Sequence, residues 1–188
     1  MLAKGIKESK LYREMSELLE PMGLLVVDAV KNETAQGVQL IITVFSPERE
    51  VNTDDLAEVY NIVYPRYSVI YQDRDLSLEV SSPGMTRNFK DIHEFELFKG
   101  RLVRVYSSTF STWIEGYISS CSDESVTLTS ALAVDTNETK DEMVLTYGEI
   151  QKAKLVVRQV VGGLDHPDTG IMFAVPALFV EGLGANQQ

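Results

Sequence analysis

The sequence predicts an α+β protein: an N-terminal α/β sandwich of order α-β-β-α-β, followed by a half built almost entirely of short strands. Three observations predict it. Apolar residues recur at helical spacing over residues 8–20 and again after Asn52. Alternating or β-branched runs fill the intervals between and after them. From Arg101 onward, five short strand-like runs follow one another between turn signals.

In the first half, Leu11, Met15, Leu18 and Leu19 form one stripe, with Lys10, Arg13, Glu14 and Glu17 outside it. Ser9 is placed to cap this helix, and Pro21 with Gly23 stops it. Residues 24–30 and 38–45 read as strands joined by a polar loop at 31–37, so an antiparallel hairpin is the simplest pairing. A second helix starts at Asn52 or Thr53, with Asp54 and Asp55 in its first turn, where negative charge complements the helix dipole. Leu56, Val59, Tyr60 and Val63 give its inward stripe, and Pro65 is expected to limit its extension. Leu76, Leu78 and Val80 alternate with Ser77, Glu79 and Ser81, a half-buried strand that completes a sandwich of helices on a sheet. Pro83 and Gly84 then predict a type II turn.

In the second half, residues 83–90 read as a linker, and Ile92, Phe95 and Phe98 mark a short helix within 91–99. Strands are expected at 102–105, 113–119, 126–129, 143–147 and 153–157, with a charged, Thr/Asn-rich loop at 131–142. Five short strands suggest a small closed barrel, which leaves no edge to pair wrongly. Tyr106, Phe110 and Trp113 are read as core or rim packing of that barrel. The division is therefore 1–84, 85–158 and a C-terminal extension, 159–188. In that extension, residues 171–180 are apolar around Pro176 and are read as a flap packed on the barrel or on a neighbouring chain.

Composition narrows the functional classes. The formal net charge of the 188 residues is −11, with −6 over residues 1–84 and −5 over 85–188. A protein that binds mainly by neutralising phosphates needs a dense Lys/Arg surface, so this chain suits a basic protein or a mixed protein–RNA surface better than naked nucleic acid. No apolar run reaches the ~18 residues that cross a bilayer, and residues 1–10 carry no apolar signal core, so a cytoplasmic location is expected. The single cysteine, Cys121, reads as a small apolar strand residue. Neither a G-x-S-x-G, a C-x-x-C, an H-E-x-x-H nor a phosphate-binding loop is present, and His93 and His166 lie in different segments. The chain therefore reads as a binding protein, not an enzyme, with no metal, cofactor or small-molecule substrate. The weak enzymatic alternative, a hydrolase using Asp54, Asp55 and His93, has no recognisable spacing behind it.

The run Leu76–Arg87, LSLEVSSPGMTR, carries further information. Its LEVSSPG followed by an arginine resembles the junction of the ribosome maturation factor RimP family. The likeness extends in order over residues 8–158, through the Glu20-Pro21-Met22-Gly23 helix end, the Thr53 to Asp55 helix start, Phe95 to Arg101 and Glu149 to Leu155. The resemblance implies an SH3-like, Sm-related barrel in the second half. It also implies a factor that binds the immature small (30S) ribosomal subunit and assists its late assembly without catalysis. The partner is then a basic small-subunit protein, with rRNA secondary. Candidate partner-binding or interdomain residues are Glu79, Pro83, Gly84, Arg87 and Lys90. Arg87 reads either as a charge-assisted contact to a carboxylate or phosphate, or as an ion pair fixing the two halves. The competing class is a free-standing Sm-like RNA-binding module.

Overall fold

The computed structural model describes residues 2–156 and 178–179. Apart from Leu178 and Phe179, the expectations for residues 159–188 lie outside the described residues. The chain divides into two compact units. Lys7–Pro83 forms one together with residues 178–179, and residues 84–156 form the other together with residues 2–6.

In the first unit, helix α1 (Lys10–Leu19) buries Tyr12, Met15 and Leu19. Tyr12 joins Met15 and Leu19 in the buried stripe, whereas Leu11 and Leu18 of the expected stripe are half-buried, and the Tyr12 hydroxyl donates to the Val26 carbonyl at 2.9 Å. A 3-10 turn through Pro21 ends the helix, and Gly23 closes it at φ 68°, where a side chain would be strained. Strand β1 (Leu25–Glu33) pairs antiparallel with β2 (Gly37–Phe45), and β2 pairs parallel with β3 (Asp75–Ser81). A parallel pair needs a crossover, and helix α2 (Thr53–Ile70) supplies it. Leu40, Ile42, Leu78 and Val80 are fully or almost fully buried in this sheet. Strand β9 (Leu178–Phe179) adds to β3, with Glu79 opposite Phe179 and Val80 opposite Leu178.

Helix α2 differs from expectation at Pro65, which lies inside the helix and does not end it. An interior proline removes one helical hydrogen bond and costs about 3 kcal/mol. The turn beyond it is held by tertiary contacts: Tyr67 is 3 % exposed, and its hydroxyl donates to Glu14 at 2.7 Å. Burial and that hydrogen bond push the Tyr67 phenol above its ordinary pKa, so it stays a neutral donor.

The start of α2 follows the sequence closely. Asp55 N–H donates to Asn52 Oδ1 at 3.0 Å and Asn52 N–H to Asp55 Oδ2 at 2.9 Å, a reciprocal cap. The Arg49 guanidinium grips the same carboxylate through both terminal nitrogens. That pairing, with the Asn52 amide and against burial, holds the Asp55 carboxyl below its usual range. A carboxyl depressed in the folded state contributes stability above its unfolded pKa of about 4 and loses it as pH falls through the folded value. Arg49→Met is therefore expected to move the acid-unfolding midpoint to higher pH. Asn52→Ala is expected to cost about 1 kcal/mol at neutral pH, both read by circular dichroism.

The second unit is a single antiparallel sheet of order β7-β6-β5-β4-β8. Its strands are β4 (Leu102–Ser107), β5 (Thr112–Cys121), β6 (Ser125–Ala133), β7 (Glu138–Thr146) and β8 (Ile150–Leu155). β7 ends at Thr146 on one edge, and β8 begins at Ile150 on the other. Four Cα steps reach at most ~15 Å, whereas a flat five-stranded sheet would set those edges about 19 Å apart. The sheet must curl, and two irregularities of the β5–β6 ladder bend it, one with the extra residue on β6 opposite Gly116 and one with the extra residue, Ser119, on β5. A Cβ at Gly116 would stand 3.0 Å from Leu128 Cβ and 3.1 Å from the Thr129 carbonyl, so only glycine fits without a shift.

Two expectations are corrected here. No ladder joins β7 to β8 among the described residues, so the sheet is curled but open rather than a closed barrel. Arg87 and Phe89 instead cover part of the β8 edge: Phe89 N–H donates to the Ala153 carbonyl at 2.8 Å, and Leu155 N–H to the Arg87 carbonyl at 2.9 Å. The charged stretch 131–142 is mostly strand, with Ala133 opposite Glu138 and only the residues between them in the turn. It shows no apolar alternation because β7 is an edge strand whose first five side chains are all solvated.

Helix α3 is a single turn, Glu94–Leu97, that drives Phe95 into the unit's core with Phe98 beside it, both 0 % exposed. The Phe95 ring meets Phe89 edge-on at 5.0 Å and Tyr147 at 5.7 Å.

Candidate functional site

Pro83 is buried and Gly84 exposed; the unit boundary falls between them. The expected type II turn is replaced by one that starts at Gly84, whose carbonyl accepts from Arg87 N–H at 3.0 Å. Gly84 is not among the residues with positive φ, so its freedom is not used in the way the sequence pattern implies. Glu79 and Pro83 belong to the first unit, and Glu79 lies in the β3 ladder opposite Ile41.

Arg87 and Lys90 belong to the second unit and converge on a residue that sequence reasoning did not single out, Glu94. Arg87 Nε donates to Glu94 Oε2 at 2.5 Å and Nη2 to Oε1 at 3.2 Å. Lys90 N–H donates to the same Oε1 at 2.8 Å. The Glu94 side chain is 1 % exposed and that of Arg87 11 %, so this pair is desolvated and bidentate. Lys90 itself is exposed.

Beside it, Asp91 ties down the first residues of the chain. Its Oδ2 accepts from Ile6 N–H at 3.1 Å, and Oδ1 accepts from His93 N–H at 3.0 Å, with His93 Nδ1 at 3.1 Å. Ala3 N–H donates to the Lys90 carbonyl at 2.9 Å, and Ile92 N–H donates to the Ala3 carbonyl at 3.0 Å. The Asp91-x-x-Glu94 spacing resembles a helix-start box, the one signal that could have pointed to Glu94. Chemically the cluster is a brace: its carboxylates are occupied by a guanidinium and backbone amides. Asp55, one of the acids considered for hydrolysis, is engaged by Arg49 and Asn52 in the other unit from His93. Among the described residues no group of three His, Cys, Asp or Glu side chains is placed to hold a metal ion, and no helix is long and apolar enough to cross a membrane.

A second feature lies on the outer face of the curled sheet. Val103, Val105, Ile114, Ala153 and Leu155 point inward and are buried, which turns Arg104, Tyr106, Trp113, Lys152 and Lys154 outward. Tyr106 is flanked across the ladder by Lys152 on β8 and Trp113 on β5; Arg104 is flanked by Lys154 and Glu115. The Tyr106 and Trp113 rings meet edge-on at 5.4 Å. Lys154 Nζ stands 5.7 Å from the Trp113 ring centre, and Arg104 Nε donates to Glu115 at 2.6 Å. Of the core-or-rim reading, the core half does not hold: Tyr106 and Trp113 are half-buried on the outer face, and Phe110 is exposed.

No protein-family model matches the chain. Among curated proteins it is similar to the ribosome maturation factor RimP of Borrelia turicatae, 22 % identical over 156 residues, which cover 82 % of this chain and 99 % of that protein. RimP of Borrelia hermsii is 21 % identical over 154 residues, again 82 % and 99 %. These distant relatives suggest the RimP family. Among solved structures, a Sm-like archaeal protein from Pyrobaculum aerophilum aligns with a TM-score of 0.33 at 18 % identity, over 37 % of this chain and 53 % of that one. The LSM domain of Dm EDC3 (Enhancer of Decapping 3) aligns with a TM-score of 0.29 at 20 % identity, over 39 % and 76 %.

Proposed function

We propose that this chain is a non-catalytic ribosome maturation factor that binds the immature small ribosomal subunit in the cytoplasm and assists its late assembly. The observation that carries the reading is the alignment with RimP proteins along nearly their whole length, across both units of this chain. Binding without chemistry acts by differential affinity: contact with one conformation of a precursor raises its population over competing ones.

Charge supports a protein contact as the main one. Lys7–Pro83 holds 7 basic and 14 acidic side chains, a net −7, so the first unit is the acidic one. Such a surface attracts a basic ribosomal protein and is repelled by bare rRNA. The test is sedimentation of cell extracts. The protein is expected to migrate with free small subunits and to be absent from 70S particles, and cells lacking it should accumulate unfinished small subunits. Normal levels of finished small subunits at every growth temperature would overturn the reading. The competing reading, a free-standing Sm-like RNA module, predicts binding to short oligonucleotides with no association with ribosomal particles.

A further inference from the structure

We propose that the outer face of β8, β4 and β5 is a stacking platform for a short single-stranded RNA segment, with Trp113 and Tyr106 receiving bases and Lys152 and Lys154 receiving phosphates. The first support is placement. Rings on the outer face of a sheet fill no core, yet two of them are held here in one ladder row and in mutual contact. Strand-borne aromatics flanked by cations are the general device for holding unpaired nucleotides, because every base has a π-face and every linkage a negative charge.

The second support is local charge. Residues 2–6 and 84–156 hold 9 basic and 11 acidic side chains, a net of only −2. Asp135, Glu138, Asp141 and Glu142, with Lys140 among them, lie on or beside β7, whereas Arg104, Lys152 and Lys154, with Glu115, flank the rings. Arg104 is neutralised by Glu115. Neither Lys152 nor Lys154 forms an ion pair with a carboxylate among the described residues, and Lys154 lies over an aromatic ring. The chain as a whole repels a polyanion, but this face does not, so the contact is short and local. The choice of RNA over DNA rests on the ribosomal reading above.

Trp113 is the only tryptophan in the chain, so its emission reports on this face directly. Titration of the full chain at low salt with an oligouridylate of about ten nucleotides is expected to quench that emission saturably. The logarithm of the binding constant should fall with the logarithm of salt concentration at a slope of about −1.4, two phosphate contacts on a single strand. The Lys152→Glu/Lys154→Glu double variant, altered only at partly or fully exposed positions, should lose the quenching. Tyr106→Ala should weaken binding at least ~fivefold, the loss of one stacked base. Absence of quenching, or quenching unchanged in the double variant, would overturn the proposal. Sedimentation of the same proteins separates the two readings. Subunit association without oligonucleotide binding ends the platform and leaves the ribosomal function standing. Oligonucleotide binding without subunit association ends the ribosomal function and supports the platform.

Discussion

Glu94→Ala is expected to lower the stability of the second unit by about 3–5 kcal/mol, the cost of breaking a buried ion pair by removing one partner. The carboxylate accepts both from Arg87, itself largely buried, and from the Lys90 amide. Its removal therefore takes away the bidentate carboxylate from a desolvated guanidinium and from the Lys90 amide. Glu94→Gln keeps a carbonyl oxygen for the Lys90 amide and Arg87 Nη2 but loses the charge and the acceptor for Arg87 Nε, so its loss should be smaller than that of alanine. Replacing both members, Arg87→Met with Glu94→Met, should recover much of the deficit, because two apolar side chains of similar volume need no compensation for desolvation. Urea unfolding followed through Trp113 reads this unit, since the fluorophore sits on β5. With a slope of ~1–2 kcal/mol per molar, the Glu94→Ala midpoint should fall by at least ~1.5 M. An unchanged midpoint would mean that the pair contributes nothing to the fold.

Phe95→Ala is expected to cost a similar ~3–5 kcal/mol by a different route, loss of transfer energy plus the cavity left behind. The Phe95 ring is completely buried, with Phe89 and Tyr147 around it. Phe89 belongs to the segment that covers β8, so a cavity here loosens the sheet edge as well as the core. Phe95→Leu refills most of the space and should cost clearly less. In a domain of this size each kcal/mol lowers the melting midpoint by roughly 4–8 °C, so the alanine variant should melt at least ~12 °C below the parent. Equal losses for alanine and leucine would point away from cavity formation. Glu94 and Phe95 are adjacent and share one helical turn, so their effects should not simply add.

The predictability of these features from sequence follows their locality. The start of α2 was legible because Asn52 and Asp55 satisfy each other three residues apart, with no help from the rest of the molecule. The continuation of α2 past Pro65 was not, since Tyr67 and its partner Glu14 are 53 residues apart. The strand at 138–146 was hidden for a related reason: a solvated edge is defined by backbone pairing with Ala133 and its neighbours, which leaves no apolar signature. Arg87 stands out in the sequence because it follows the strand-turn run, but Glu94 does not, because a buried carboxylate in a one-turn helix looks like any surface glutamate in a sequence. The outer-face rings were closer to being readable. Tyr106 shares strand parity with Arg104 against Val103 and Val105, which already points it away from the core.

The segment 87–89 lying along β8 has a consequence for self-association. Copies of a curled sheet can join head to tail into rings or endless fibres only if each presents two complementary free edges. Here Ala153 and Leu155 are already hydrogen-bonded within their own chain, so the C-terminal part of that border is taken. Propagation by strand exchange would have to start from a shortened edge.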